Sequence, residues 1–392
     1  MLEKYPTLSY ALDNSRFKDI DTQINTDINN GFPGAGLIIV KDNKIIKQTV
    51  YGYRRKYDDK GLLKNTFDPM QMDTMFDLAS NTKMYATVYA IMHLLSLGKI
   101  DLMVPIDNYL PEFKKNTFIP KVINLLCHDA GYPPDIDVYK YGGIQKYPQI
   151  RDIIANIKPE RQIGGTPIYS DIDFILLGMI IEAIVKEPLD AYVETNIYKP
   201  LGLSHTIYNP LLKGFNKSDF AATEIKGNTR GGTVTFANIR TLTICGEVHD
   251  EKTYYGLDGV AGHAGLFSNL HDMAVLTQII LNNGGYGNHQ FWSPEIQKLF
   301  ITPNQLDSSF GLGWRRYGDK TQWFTKYASN QAVGHSGWTG TATLIDPAYN
   351  LAIILLTNKK HSDYIDGKFV GDNFATGKYA DIIKLIYQDL VV

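Results

Sequence analysis

Ser80 and Lys83 stand at the head of a long apolar stretch that runs from Met75 to Leu95. On a helix that spacing puts both side chains on one face, with about 5–6 Å between Cβ atoms. After Ser80 the residues are apolar almost all round, with no Gly or Pro until Gly98. This pattern predicts a helix buried on most sides, with Ser80 near its N-terminus. Burial disfavours a charged lysine, and a neutral amine beside a serine hydroxyl can take its proton and make it a nucleophile. Amide donors at the helix start offer a hold for an oxyanion.

Ser-x-x-Lys spacing recurs at Ser15–Lys18 and at Ser96–Lys99. The first lies in a polar, Asp- and Asn-rich segment, and the second contains Gly98, so only Ser80 opens a buried helix. Two later motifs add chemistry. Tyr169-Ser170-Asp171 precedes a second apolar run, Ile172 to Ile184. A phenol at such a loop–helix junction can face a cleft and transfer protons when an ammonium lowers its pKa. Asp171 also suits an N-cap, and Tyr169 a packing aromatic. Gly334-His335-Ser336-Gly337-Trp338-Thr339-Gly340 leads into a final hairpin. Its small residues let a substrate approach a strand edge, where His335 can hydrogen-bond or charge-pair with it, share in proton transfer, or simply serve the fold. A Gly-x-Ser-x-Gly elbow centred on Ser336 fits less well, because Trp338 fills the fifth position and a hairpin follows where a helix is required. His249-Asp250-Glu251 with His263 forms a further polar cluster whose spacing matches no metal motif. It reads as a loop rimming the cleft, and no metal is expected.

The elements around these motifs follow from periodicity. Residues 15–30 form an amphipathic helix, with Phe17, Ile20, Ile24 and Ile28 on one face. Gly36 to Val40 and Ile45 to Gly52 flank the turn dipeptide Asp42-Asn43, a hairpin pattern. Arg54 to Asp73 reads as a polar loop, and residues 135–168 form no clear element. Further helices are expected over Leu189 to Tyr198, Leu270 to Leu281 and Lys378 to Val392. A last hairpin joins Thr339 to Ile345 with Leu351 to Asn358. Strands at both ends and helices between predict an α+β fold. Its antiparallel sheet is built from N- and C-terminal segments flanked by helices, with an inserted mainly helical domain. The sheet domain takes residues 1–74 and 226–392, the helical domain residues 75–225.

Composition is that of an ordinary globular chain. With 20% charged and 44% apolar residues and a net charge of −2, the 392-residue sequence gives no reason to expect nucleic acid as a partner. Two cysteines, Cys127 and Cys245, make no disulfide framework. No apolar run reaches spanning length, and the N-terminus lacks a signal-peptide pattern. The chain as given therefore reads as cytoplasmic, or as extracytoplasmic if an export signal lies outside it.

The ordered set Ser80-x-x-Lys83, Tyr169-x-Asp171 and His335-Ser336-Gly337 resembles the serine β-lactamase and penicillin-binding-protein superfamily, in particular its class C β-lactamase-like esterases and DD-peptidases. Phe32-Pro-Gly-Ala-Gly36, Leu125-Leu-Cys-His-Asp-Ala-Gly131, Gly259-Val-Ala-Gly-His-Ala-Gly-Leu-Phe-Ser268 and Gly311-Leu-Gly-Trp314 add to the likeness. The resemblance implies a β-lactamase/transpeptidase-like fold, no cofactor, and a serine hydrolase forming an acyl-enzyme on Ser80. Lys83 would activate Ser80, and Tyr169 would be the partner acid or base. Asp171, His335, Ser336 and Gly337 would bind substrate, and the N–H groups of Ser80 and Trp338 would form the oxyanion hole. The implied partners are small esters, D-Ala-type cell-wall peptides or β-lactams. A β-lactamase, or a protein that binds penicillin without turnover, is the alternative. The family commonly has Asn at the position of Asp171 and Lys at that of His335, and both departures favour an esterase or peptidase over an efficient β-lactamase.

Overall fold

The computed structural model describes residues 4–137, 147–318 and 321–391. Residues 138–146 of the expected loop, and Val392 at the end of the expected closing helix, lie outside them.

Strands β1 (Gly34–Lys41) and β2 (Lys44–Tyr57) form the N-terminal hairpin. Its turn residues Asp42 and Asn43 both adopt positive φ, 52° and 61°, as a tight hairpin with right-handed strand twist requires. A neighbouring strand, β3 (Leu63–Pro69), pairs with the far end of β2. From the C-terminal part come β4 (Arg315–Arg316), β5 (Val333–Ser336), β6 (Thr341–Asp346) and β7 (Leu351–Thr357). The sheet order is β2-β1-β7-β6-β5-β4, with a two-residue strand at Ser9–Tyr10 outside β2. The two ends of the chain therefore meet at β1 and β7, in a seven-pair antiparallel register that sets Leu37 opposite Leu355.

Alternation along these strands builds two cores. Ile38, Val40, Ile354 and Leu356 face one side, and Leu37, Ile39, Ile353 and Leu355 the other. On the second side pack Phe17, Ile20 and Ile24 at α1 (Lys18–Asn29), with Ile382 and Ile386 of α6 (Ala380–Leu390). On the first side lie α2 (Tyr89–Ser96), α3 (Asp171–Val185), α4 (Leu189–Val193) and α5 (Leu270–Leu281). Gly36 lets α5 come close, since a Cβ there would stand 2.6 Å from a Leu270 methyl carbon.

Two expectations need correction. Arg54 to Asp73 is not one loop: β2 continues to Tyr57 and β3 follows. Both faces of this ribbon are half-exposed, so its alternation of charged and aromatic residues carries no apolar stripe to read. Residues 147–155 of the featureless segment form a helix. The expected Ser80 helix is present in three gaits, a 3₁₀ turn at Ala79–Asn81, a π turn at Lys83–Val88, then α2. Among the described residues, no helix is long and apolar enough to cross a membrane.

Ile354 is fully buried in the first core, whereas Leu212 is 86% exposed. Ile354→Ala is expected to cost about 2–5 kcal/mol and Leu212→Ala less than about 0.5 kcal/mol, read as the shift in urea midpoint at constant slope.

Candidate active site

The turn carrying Ser80 is clamped to the sheet edge by hydroxyl groups. Thr339 donates to the Asp77 carbonyl at 2.7 Å and Thr341 to the Leu78 carbonyl at 2.9 Å, while the Asn81 amide donates to Thr341 Oγ1 at 3.0 Å. Ala79 takes a φ of 45°, strained for alanine, with its N–H donated to Asp77 Oδ1 at 2.8 Å. Gly337 is obligatory here, because a Cβ would come within 2.3 Å of both the Leu78 carbonyl and Thr341 Oγ1. The small residue expected to admit a substrate thus first admits the Ser80 turn itself.

Lys83 is fully buried, and its ammonium has three acceptors: Asp171 Oδ1 at 2.7 Å, Ser80 Oγ at 3.1 Å and the His263 carbonyl at 3.2 Å. All three ammonium protons are used. Burial pushes the Lys83 pKa down, but the Asp171 carboxylate and hydrogen bonding to Asp171 and Tyr169 outweigh it and raise the pKa above the usual lysine value. The neutral amine expected from burial alone is not the resting state. The other two Ser-x-x-Lys serines are exposed: Ser15 donates to Asp13 and Ser96 to the His93 carbonyl, each at 2.7 Å.

Asp171 opens α3 and faces a second buried cation. Its Oδ2 is 3.2 Å from Lys252 Nζ, which also meets Asp135 at 3.0 Å and Asp250 at 3.1 Å. Asp250 in turn pairs with His263 Nε2 at 2.9 Å, and the His263 carbonyl returns to Lys83. The result is a closed ring, Lys83–Asp171–Lys252–Asp250–His263. Burial raises the Asp171 carboxyl, but Lys83 and Lys252 more than offset this and hold it far below the usual range. Lys252 was not singled out by the sequence; its only signal is adjacency to His249-Asp250-Glu251. Atoms of Asp171, Asp250 and His263 lie within 4.8 Å of one another, as in a cation site, and Lys252 already supplies the positive charge there.

Tyr169 is brought beside this pair: Lys83 Nζ is 4.8 Å from its ring centre. Burial raises its pKa, the Lys83 charge and hydrogen bonding to Lys83 and Ser80 oppose this, and the phenol stays protonated. The His335 ring lies 5.7 Å from that of Tyr169. His335 Nδ1 donates to the Ser336 carbonyl at 2.9 Å, which leaves Nε2 as an acceptor with no partner among the described residues. Burial, then Lys83 and Arg315, push His335 down to about 3, so it carries no charge at neutral pH. A charge does stand nearby. The Arg315 guanidinium lies 4.0 Å from the Phe310 ring and 5.2 Å from that of Tyr169, with no ion-pair partner among the described residues.

Trp338 borders the opening. Its N–H has no acceptor among the described residues, and its ring stacks on His249 at 4.5 Å. The Arg230 guanidinium sits 4.6 Å from the Trp338 ring and pairs with Glu224 and Glu251. A cavity of about 230 Å³ reaches Ser80 from outside, between Tyr169, Asp171 and Lys252 on one side and Arg230 and Trp338 on the other. Ser80, Lys83, Tyr169, Asp171 and the 335–338 strand end therefore converge, and the His249–His263 cluster lines the same cavity. Such a site can move a proton off a hydroxyl and hold the resulting charge on free N–H groups.

Known proteins carry the same arrangement of chain. A profile of the family described as Beta-lactamase matches residues 17–370. An N-acetylmuramyl-L-alanine amidase of Bacillus subtilis is 48% identical, over 95% of this chain and 89% of that one. A Salmonella enteritidis protein provisionally named D-alanyl-D-alanine carboxypeptidase is 43% identical, over 99% and 95%. The crystal structure of a penicillin-binding protein homologue from Caulobacter crescentus superposes with a TM-score of 0.71 at 18% identity, over 97% and 99% of the two chains.

Lys252 is 7% exposed and compensates three carboxylates. Lys252→Met is expected to destabilise the protein by about 3 kcal/mol or more, the usual result of stranding a buried charge. Adding Asp250→Asn should recover part of that loss, read as a coupling energy in a double-mutant cycle.

Proposed function

The chain belongs to the Beta-lactamase family of serine hydrolases, with its β-lactamase/transpeptidase-like fold, and within it we propose an amidase of cell-wall glycopeptides that works through an acyl-enzyme on Ser80. The observation that carries the reading is the Ser80 Oγ, 3.1 Å from Lys83 Nζ, at the floor of a polar cavity.

The relatives' names point to two bonds with a shared acyl half. In N-acetylmuramyl-L-alanine the acyl group is a D-lactyl ether; in D-alanyl-D-alanine it is a D-alanyl amide. Both are propionyl groups with the same hand at C2, one bearing oxygen where the other bears nitrogen, so one pocket accommodates either. We favour the muramyl bond, because the cavity at Ser80 is walled by Trp338 and by charged and hydrogen-bonding groups, Arg230, His249, Asp250 and Glu251 among them, which suit a polar acyl substituent. The D-alanyl bond is the second reading; it is supported by Arg315, a cation beside Tyr169 with no ion-pair partner among the described residues, suited to a terminal carboxylate.

Ser80 Oγ adds to the carbonyl carbon as its proton passes to the Lys83–Tyr169 pair, and the N–H groups of Ser80 and Trp338 hold the oxyanion. The C–N bond breaks, the leaving amine takes the proton, and water then releases the acid and restores Ser80. Because Lys83 and Tyr169 both hold their protons at neutral pH, the reactive form has one proton fewer between them and grows more abundant as pH rises.

Wild-type protein is expected to release a free L-alanyl peptide from N-acetylmuramyl peptide, and Ser80→Ala to release none. Release of D-alanine from a D-alanyl-D-alanine peptide, with the muramyl bond intact, would shift the assignment to the second reading. A stable penicillin adduct on Ser80 with neither turnover would reduce the protein to a binder. For a small neutral ester, kcat/KM should climb across pH 7–9.5 without a plateau. Asp171→Asn removes the carboxylate that holds the Lys83 proton, so the limb should move to lower pH and the pH 7 rate rise by about fivefold or more. A slower variant with an unmoved limb would refute Lys83 as the titrating base.

A further inference from the structure

Outward from the oxyanion strand, the wall of the site continues as a file of aromatic rings. Trp338, 41% exposed, meets Phe369 edge-on with centroids 5.4 Å apart, and Phe369 meets Tyr364 edge-on at 4.9 Å. Phe369 is buried and braces the other two rings. Trp338, though part of it is open, also carries the Lys360 ammonium at 4.3 Å, the Arg230 guanidinium at 4.6 Å and the His249 ring at 4.5 Å. The Tyr364 end opens on a second cavity of about 320 Å³, whose walls include Glu224 and Gly231. Arg230, which lines the Ser80 cavity, is paired with Glu224 of the outer one, so the two cavities adjoin across that ion pair. Gly231 lets the backbone beside Arg230 pack closely on Tyr364: a Cβ there would stand 3.1 Å from Tyr364 Cβ.

The outer cavity offers both signs of charge, from Lys226 on one side and Glu224 and Asp363 on the other, over apolar surface from Ile225 and Phe369. A free anion would meet two carboxylates, and an apolar chain would desolvate charged groups without replacing their hydrogen bonds. A neutral ring with hydroxyls at its edge and C–H groups on its faces satisfies donors, acceptors and aromatic faces together. The volume lies at the lower end of the range for small-molecule sites.

We infer that the groove from Trp338 to the Tyr364 cavity is a subsite for the pyranose, with its acetamido group, on the acyl side of the substrate. This rests on the muramyl reading of the Ser80 site. The sugar ring packs at Trp338 and its substituents reach the Lys226 and Asp363 end, which places the lactyl carbonyl over Ser80.

The test uses N-acetylmuramyl methylamide binding to full-length Ser80→Ala protein, followed by saturation-transfer NMR and calorimetry. Adding Tyr364→Ala should raise Kd by about fivefold or more, the scale of one lost aromatic contact. The exposed changes Lys226→Ala and Asp363→Ala should weaken binding in the same direction. In the Ser80-intact background the three single variants should keep p-nitrophenyl acetate turnover within about twofold of wild type, since acetate is too short to reach the groove. Sugar binding that is absent, or that survives all three changes, overturns the subsite. So does a parallel fall in ester turnover, which would show that the variants act through the fold. Failure of wild-type protein to cleave the muramyl bond, with sugar binding still lost on Tyr364→Ala, overturns the substrate reading and leaves the subsite standing.

Discussion

A buried ion pair, Lys83 to Asp171 at 2.7 Å, fixes the state of everything around it. Two opposite charges removed from water persist only when their remaining hydrogen-bonding capacity is met. Lys83 meets it with the Ser80 hydroxyl and the His263 carbonyl, and Asp171 with Lys252. Lys252 in turn draws in Asp135 and Asp250. The segments that carry these residues are locked together by charge balance as much as by packing. His335 beside the pair stays neutral chiefly because it is buried, and the Lys83 and Arg315 charges add to the cost of a third cation there.

The sheet supplies the rigid part of the site. Because β1 and β7 pair along seven residues, the N- and C-terminal segments form a single platform, and β5 and β6 extend it to the edge where Ser80 docks. Threonine hydroxyls at 339 and 341, not side-chain packing, tie the Ser80 turn to that edge, and Gly337 is small because backbone lies against it. The strained Ala79 and the π turn behind Lys83 are tolerated because the platform holds both ends of the segment. The serine and the Trp338 N–H are thereby set on one rigid frame rather than on a loop.

Relatives named for two different amide bonds fit one such frame without contradiction. The chemistry proposed at Ser80 requires only an acyl group of the right hand and a pair of N–H donors. On the proposed reading, what lies on either side of the carbonyl would meet separate residues: Trp338 and Arg230 on one flank, Arg315 and Tyr169 on the other. Change on those flanks would then alter the substrate while leaving the proposed Ser80–Lys83–Tyr169 arrangement intact.

Local spacing was enough to identify the hairpins, the helices over residues 171–185 and 270–281, and the helical face shared by Ser80 and Lys83, because each depends on neighbours within a turn or a strand. Spacing alone did not join Ser80, Tyr169 and His335; the resemblance of the ordered motifs to a known family did. The ribbon over residues 54–69 was missed because a half-exposed strand pair has no apolar stripe to announce it. The charge on Lys83, the neutrality of His335 and the part played by Lys252 and Arg315 were decided only by tertiary structure. Each is an electrostatic balance among groups far apart in the chain, 88 residues in the case of Lys83 and Asp171, and no local pattern records which distant charges folding will bring within 4 Å of one another.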